Sequence, residues 1–107
     1  MVIEEYEKQL YLKALSMKGE TTQIDISVEE SAEFIQSLIK IKRCNENLYD
    51  KEVAIEKMIE ESADVMIMIN QMIITFSKEE YFETMKIQKL KRLEKRLENF
   101  NDTRDKK

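Results

Sequence analysis

A chain of 107 residues with no proline and a single glycine, Gly19, holds almost none of the residues that break helices or turn strands. It is filled instead with Glu, Lys, Leu, Ile and Met, which are at ease in helices. An all-α fold follows, and the positions of the apolar residues divide it into four segments. Residues 2 to 17 place Ile3, Tyr6, Leu10, Ala14 and Met17 at steps of three and four, one stripe of a first helix. "KGETTQID" interrupts that pattern, and Ser27 with Glu30 forms a Ser-x-x-Glu capping box for a second helix reaching about Arg43. Val28, Ala32, Ile35 and Ile39 are its expected buried face.

"CNENLYD" reads as a loop, with Asp50 as N-cap of a long third helix that reaches Phe76. Ser77 and Glu80 make another capping box, opening a fourth helix with the stripe Ile87, Leu90, Leu93, Leu97 and Phe100. Short links between amphipathic helices predict a compact four-helix antiparallel bundle: one domain over residues 1–100 and a frayed tail over 101–107. Val65 to Ile69 is apolar on every side, which a helix tolerates only when neighbours surround it. A protomer this small has few neighbours to offer, so a homodimer or higher homo-oligomer is expected.

Composition removes whole classes of function. With a net charge of −4, general attraction to nucleic acid or to an anionic membrane is not expected. The 12-residue run "VMIMINQMIITF" falls short of the roughly 20 apolar residues that cross a bilayer, so no membrane partner is expected. The start "MVIEEYEKQLYLKAL" lacks the features of a secretion signal, and the lone Cys44 rules out an internal disulfide; both fit a cytoplasmic protein. Histidine is absent, which removes imidazole bases and His-metal sites, and one glycine cannot build a phosphate-cradling loop. Carboxylates, amines, hydroxyls and one thiol are what remain for chemistry.

The carboxylates are patterned. "EESAEFI" at residues 29–35 and "EESADVM" at 60–66 are nearly the same phrase. Glu30 and Glu33 stand one turn apart on one face of the second helix, and Glu61 and Asp64 repeat this on the third. The capping box accounts for Glu30, since glutamate is favoured in a first turn. It cannot account for Glu61 and Asp64, which lie mid-helix against the most apolar run of the chain. If the two helices pack antiparallel, the pairs converge into four carboxylates that repel one another unless protonated or bound to a cation. Mg²⁺ suits such a site, because it takes oxygen ligands and is commonly held by a few carboxylates together with substrate phosphates.

"EESAEFIQSLIKIKR" followed by "EESADVMIMINQM" resembles the MazG-like all-α nucleoside triphosphate pyrophosphohydrolases, whose signature is Glu-x-x-Glu, a variable gap and Glu-x-x-Asp. Glu30, Glu33, Glu61 and Asp64 match it with 27 residues between the halves. The resemblance spans most of residues 15 to 97 and is closest to short single-domain bacterial and phage members. It implies that Mg²⁺, or Mn²⁺ in its place, is held by the four carboxylates while a nucleoside triphosphate is cut between its α and β phosphates. The products are the monophosphate and pyrophosphate, with Glu33 or Glu61 taking the proton of the attacking water.

In that family a Gln lies upstream of the first motif, as Gln23 does here, and Asn or Gln often stands where Gln71 does, either to orient a ligand or to satisfy a buried contact; both are expected substrate-binding residues. Lys89 and Arg92 match a Lys-x-x-Arg near the chain's end, within a basic stretch that carries six basic residues and one acidic one between Lys86 and Arg96. The departure is "MKGE": many relatives have a tryptophan before the glycine that corresponds to Gly19, and this chain has none. The competing reading is a non-enzymatic helical interaction or regulatory module whose acidic and basic faces serve a partner.

Overall fold

The computed structural model describes residues 3–44 and 48–103. They form four helices and no strand: α1 (Glu5–Lys18), α2 (Glu20–Arg43), α3 (Leu48–Thr75) and α4 (Glu79–Thr103). Chain contacts gather Ile3–Ser77 into one unit, in which α2 packs chiefly on α3 and α1 lies against both. From Lys78 onward, α4 belongs to a second unit. None of these helices is long and apolar enough to cross a membrane.

The single glycine stands where backbone geometry demands one. Gly19 has φ 86°, a conformation L side chains rarely adopt, and serves two helices at once. Its N–H donates to the Leu15 carbonyl at 2.8 Å, ending α1, and its own carbonyl accepts from the Gln23 N–H at 3.1 Å, opening α2. One residue therefore separates the two helices, and the loop expected over "KGETTQID" is helical from Glu20 onward. Ser27 caps nothing: it lies inside α2, where its hydroxyl donates back to the Gln23 carbonyl at 2.9 Å. The Gln23 N–H bond to the Gly19 carbonyl opens the helix there despite the modest helix propensity of Thr21 and Thr22.

Asp50 lies within the first turn of α3 and so does not cap it. The loop expected before it falls partly on residues 45–47, which lie outside the described residues. At the far end of α3, Ser77 takes φ 53° and its N–H donates to the Ile74 carbonyl, which closes that helix. The Lys78 carbonyl, accepting from the Phe82 N–H at 2.9 Å, opens α4, so Ser77 acts as a stop and not as the expected cap. α4 is continuous to Thr103, and residues 104–107 of the expected tail lie outside the described residues.

The interior of the three-helix unit is only half apolar. Its most buried side chains among the described residues are Tyr11, Ala54, Met68 and Ile74, alongside Gln23, Ser37, Glu61 and Gln71. The apolar face expected to be buried on α2 points the other way: Val28 and Ile35 are 64% and 55% exposed, and Ile39 is exposed as well. On α1 the buried residue is Tyr11, while Tyr6, Leu10 and Met17 of the expected stripe are exposed. The stripe of α4 is also exposed, from Ile87 to Phe100. A period of 3.6 residues tells which side chains share a face, and packing decides where that face points.

Candidate functional site

Because α2 begins at Glu20, Glu30 sits well inside the helix and is no longer explained by a place in the first turn. Both repeated acidic pairs are therefore mid-helix features. They meet where α2 packs on α3. Carboxylate oxygens of Glu30, Glu33 and Glu61 lie within 4.8 Å of one another. Asp64 adjoins Glu30 closely enough for a shared hydrogen bond, as Glu61 adjoins Glu33. Asp64 thus stands by Glu30 and Glu61 by Glu33, so the second copy of the phrase meets the first.

This proximity alters the acids. Glu30 holds its proton above the usual carboxylate range, first because burial disfavours its charged form and then because Asp64, Glu33 and Glu61 repel it. Glu33, which is exposed, is raised mainly by the charge of Glu61 and by the hydrogen bond between them, with Lys57 pulling the other way. A hydrogen bond between two carboxyl groups exists only when one of them keeps a proton. Glu61, only 6% exposed, has one close cation: Lys57 Nζ stands 3.0 Å from Glu61 Oε1, a turn earlier on α3. That contact in turn raises the Lys57 ammonium. Glu30 Oε2 and Glu61 Oε2 remain buried with no hydrogen-bond partner.

A recess of about 260 Å³ opens beside the acids, lined by Glu33, Gln36, Ser37, Lys40, Lys57 and Glu61. Ser37 cannot readily turn into it, because its hydroxyl already donates to the Phe34 carbonyl at 2.6 Å. The recess is thus lined by two carboxylates and two amines. Those amines, Lys40 and Lys57, did not stand out in the sequence. Lys57 precedes Glu61 by four residues, the spacing of countless helix-surface ion pairs, and Lys40 lies in a basic last turn that suits any helix end.

The two expected amides are also interior. Gln23 on α2 and Gln71 on α3 are both almost fully buried, and each leaves its Nε2 without a partner. Gln71 reaches a larger groove between α1 and α3, where Asn70 and Tyr11 also lie. There the Tyr11 hydroxyl donates to Glu7 Oε2 at 2.7 Å. Burial and that acid together push the Tyr11 phenol upward, against a hydrogen bond from Asn70. Lys89 and Arg92 belong to the α4 unit, where they line a shallow hollow with Met85 and Gln88.

The acids brought together from α2 and α3 can thus do two things. They can hold protons between them, or they can hold a hard cation that takes up the partnerless oxygens. No protein-family model, curated protein or solved structure matches this chain.

Proposed function

We propose that the chain is a nucleoside triphosphate pyrophosphohydrolase of the MazG-like type, dependent on Mg²⁺ with Mn²⁺ able to replace it. The observation that carries this reading is the meeting of Glu30, Glu33 and Glu61 within 4.8 Å, from two pairs that lie mid-helix and have no capping duty. Among the described residues, Lys57 is the cation in ion-pair contact with these four interior or neighbouring carboxylates, which leaves them short of positive charge. The donor set is all oxygen, and two of those oxygens lack any partner, which fits a hard divalent cation. Glu30, Glu33, Glu61 and Asp64 are the residues to hold it. The four-helix antiparallel arrangement of that family is part of the same proposal.

A bound divalent cation supplies neutralising charge for phosphate oxygens and acidifies water nearby. The chain's own residues do the rest. Glu33 is the better proton acceptor of the two candidates, since it is exposed to incoming water whereas Glu61 is buried. Water attacks the α phosphorus, the bond from that phosphorus to the bridging oxygen breaks, and the water's proton passes to Glu33. Pyrophosphate leaves with the bond's electron pair. Lys40 and Lys57, lining the recess beside the acids, are placed to meet phosphate charge. Lys89 and Arg92 are proposed to do so from α4, with Gln23 and Gln71 orienting the nucleotide. The protein is proposed to act as a homodimer or higher homo-oligomer.

Ribo- and deoxynucleoside triphosphates incubated with the protein, in Mg²⁺ and in EDTA, test the reading. Monophosphate and pyrophosphate are expected in Mg²⁺ only. Replacing Lys57 with Met is expected to raise KM on the order of tenfold while leaving the products unchanged. Turnover that ignores EDTA would defeat the metal-dependent reading, and none with any nucleotide would favour the interaction module.

A further inference from the structure

α2 is built inside out. Its polar side, with Gln23, Glu30 and Ser37, packs inward, while Val28, Ala32, Ile35 and Ile39 face water. Ile35 and Ile39 stand five and nine positions beyond Glu30, on the far side of a helix with 3.6 residues per turn. A contiguous apolar stripe left on the surface of a small unit marks a contact site.

The pattern of that stripe says what fits it. Asp25, Val28, Ala32, Ile35, Ile39 and Lys42 recur at steps of three and four, the spacing of a coiled-coil seam, and the seam has an acid at one end and an amine at the other. The whole helix shares this polarity, with Glu20 in its first turn and Lys40, Lys42 and Arg43 in its last. We propose that the outer face of α2 pairs with the same face of a second copy, the two helices running antiparallel across a two-fold axis.

In that register Val28 meets Ile39 of the other copy, Ala32 meets Ile35, and Asp25 meets Lys42 at both ends, each contact occurring twice as a two-fold axis requires. Ala32, small and central, lets the helices approach closely. Parallel pairing would set Asp25 against Asp25 and Lys42 against Lys42, which the charges oppose. The carboxylates of Glu30 and Glu33 lie on the opposite side of α2 and stay clear of the contact. The proposal rests on the self-association put forward above and is independent of the hydrolase reading.

The full chain, run in sedimentation velocity with circular dichroism as a check on helicity, decides it. The parent is expected at about twice its 12.8 kDa. Ile35→Glu is expected to give a helical monomer whose melting temperature still rises with Mg²⁺ as the parent's does, because the carboxylates face away. Asp25→Lys and Lys42→Asp, each alone, are expected to weaken the dimer at least about tenfold, and the two together to restore it. A monomeric parent at tens of micromolar overturns the proposal. So does a dimer indifferent to Ile35→Glu and Asp25→Lys, or a double charge swap that fails to recover what the single ones lose.

Discussion

Glu61 carries the conflict at the heart of the site. It is buried, it lies against two other carboxylates, and its one close cation is an ammonium whose side chain is 58% exposed. Removing its charge therefore strands no buried partner. Lys57 is exposed to solvent, so screening leaves its pair with Glu61 little to contribute to stability. In EDTA, Glu61→Gln is expected to melt no lower than the parent, and higher if repulsion dominates. Mg²⁺ should raise the parent's melting temperature by binding the folded chain and should leave the variant unmoved, as calorimetry or circular dichroism would show. A loss of about 3–5 kcal/mol in EDTA would instead identify Glu61 as half of a buried ion pair.

Protons make the same point. Glu30 and Glu33 keep theirs to higher pH in the folded chain than in the unfolded one. Their contribution to stability is thus fully present below the unfolded value and is lost as pH rises through the raised, folded values. Melting of the metal-free protein is expected to shift upward as pH falls from neutral into the mildly acidic range. Saturating Mg²⁺ should flatten that dependence, because metal binding displaces the protons.

The elements show what a sequence can and cannot say. Helical content, the number of helices and the pairing of "EESA" with "EESA" were legible, since they depend on composition and on spacing along one chain. The start of α2 was not, because Ser27-x-x-Glu30 imitates a capping box inside a helix already opened by the bond from the Gln23 N–H to the Gly19 carbonyl. Ser27→Ala tests this directly. A true cap would cost about 1 kcal/mol on removal, whereas a mid-helix serine bonded to the carbonyl of Gln23 should change stability by less than about 0.5 kcal/mol in urea denaturation. Gly19→Ala, by contrast, is expected to cost about 1–3 kcal/mol. No neighbour stands within 4 Å of the added methyl, so the cost lies in the backbone at φ 86° and ψ 162°, a region essentially reserved for glycine. The outward stripes of α1, α2 and α4 were beyond periodicity for a different reason: nothing in one chain's spacing distinguishes water from a neighbour. Lys40 and Lys57 escaped notice because their significance comes only from standing across α2 and α3 in one recess.

At the scale of the whole molecule, polar groups share the interior of the three-helix unit with apolar ones, while apolar stripes lie on its surface. That arrangement is costly for a monomer with no ligand. It becomes reasonable for a chain whose inner acids receive a cation and a phosphate, and whose outer faces receive another protein surface. The unit is small enough that four interior polar side chains, Gln23, Ser37, Glu61 and Gln71, weigh heavily against four apolar ones. The most direct measurement is hydrolysis of a turned-over nucleoside triphosphate in ¹⁸O-labelled water with Mg²⁺, followed by mass spectrometry of both products. The account requires the label in the nucleoside monophosphate and none in pyrophosphate, as attack at the α phosphorus dictates. Label in pyrophosphate, or a diphosphate with labelled orthophosphate, would contradict it.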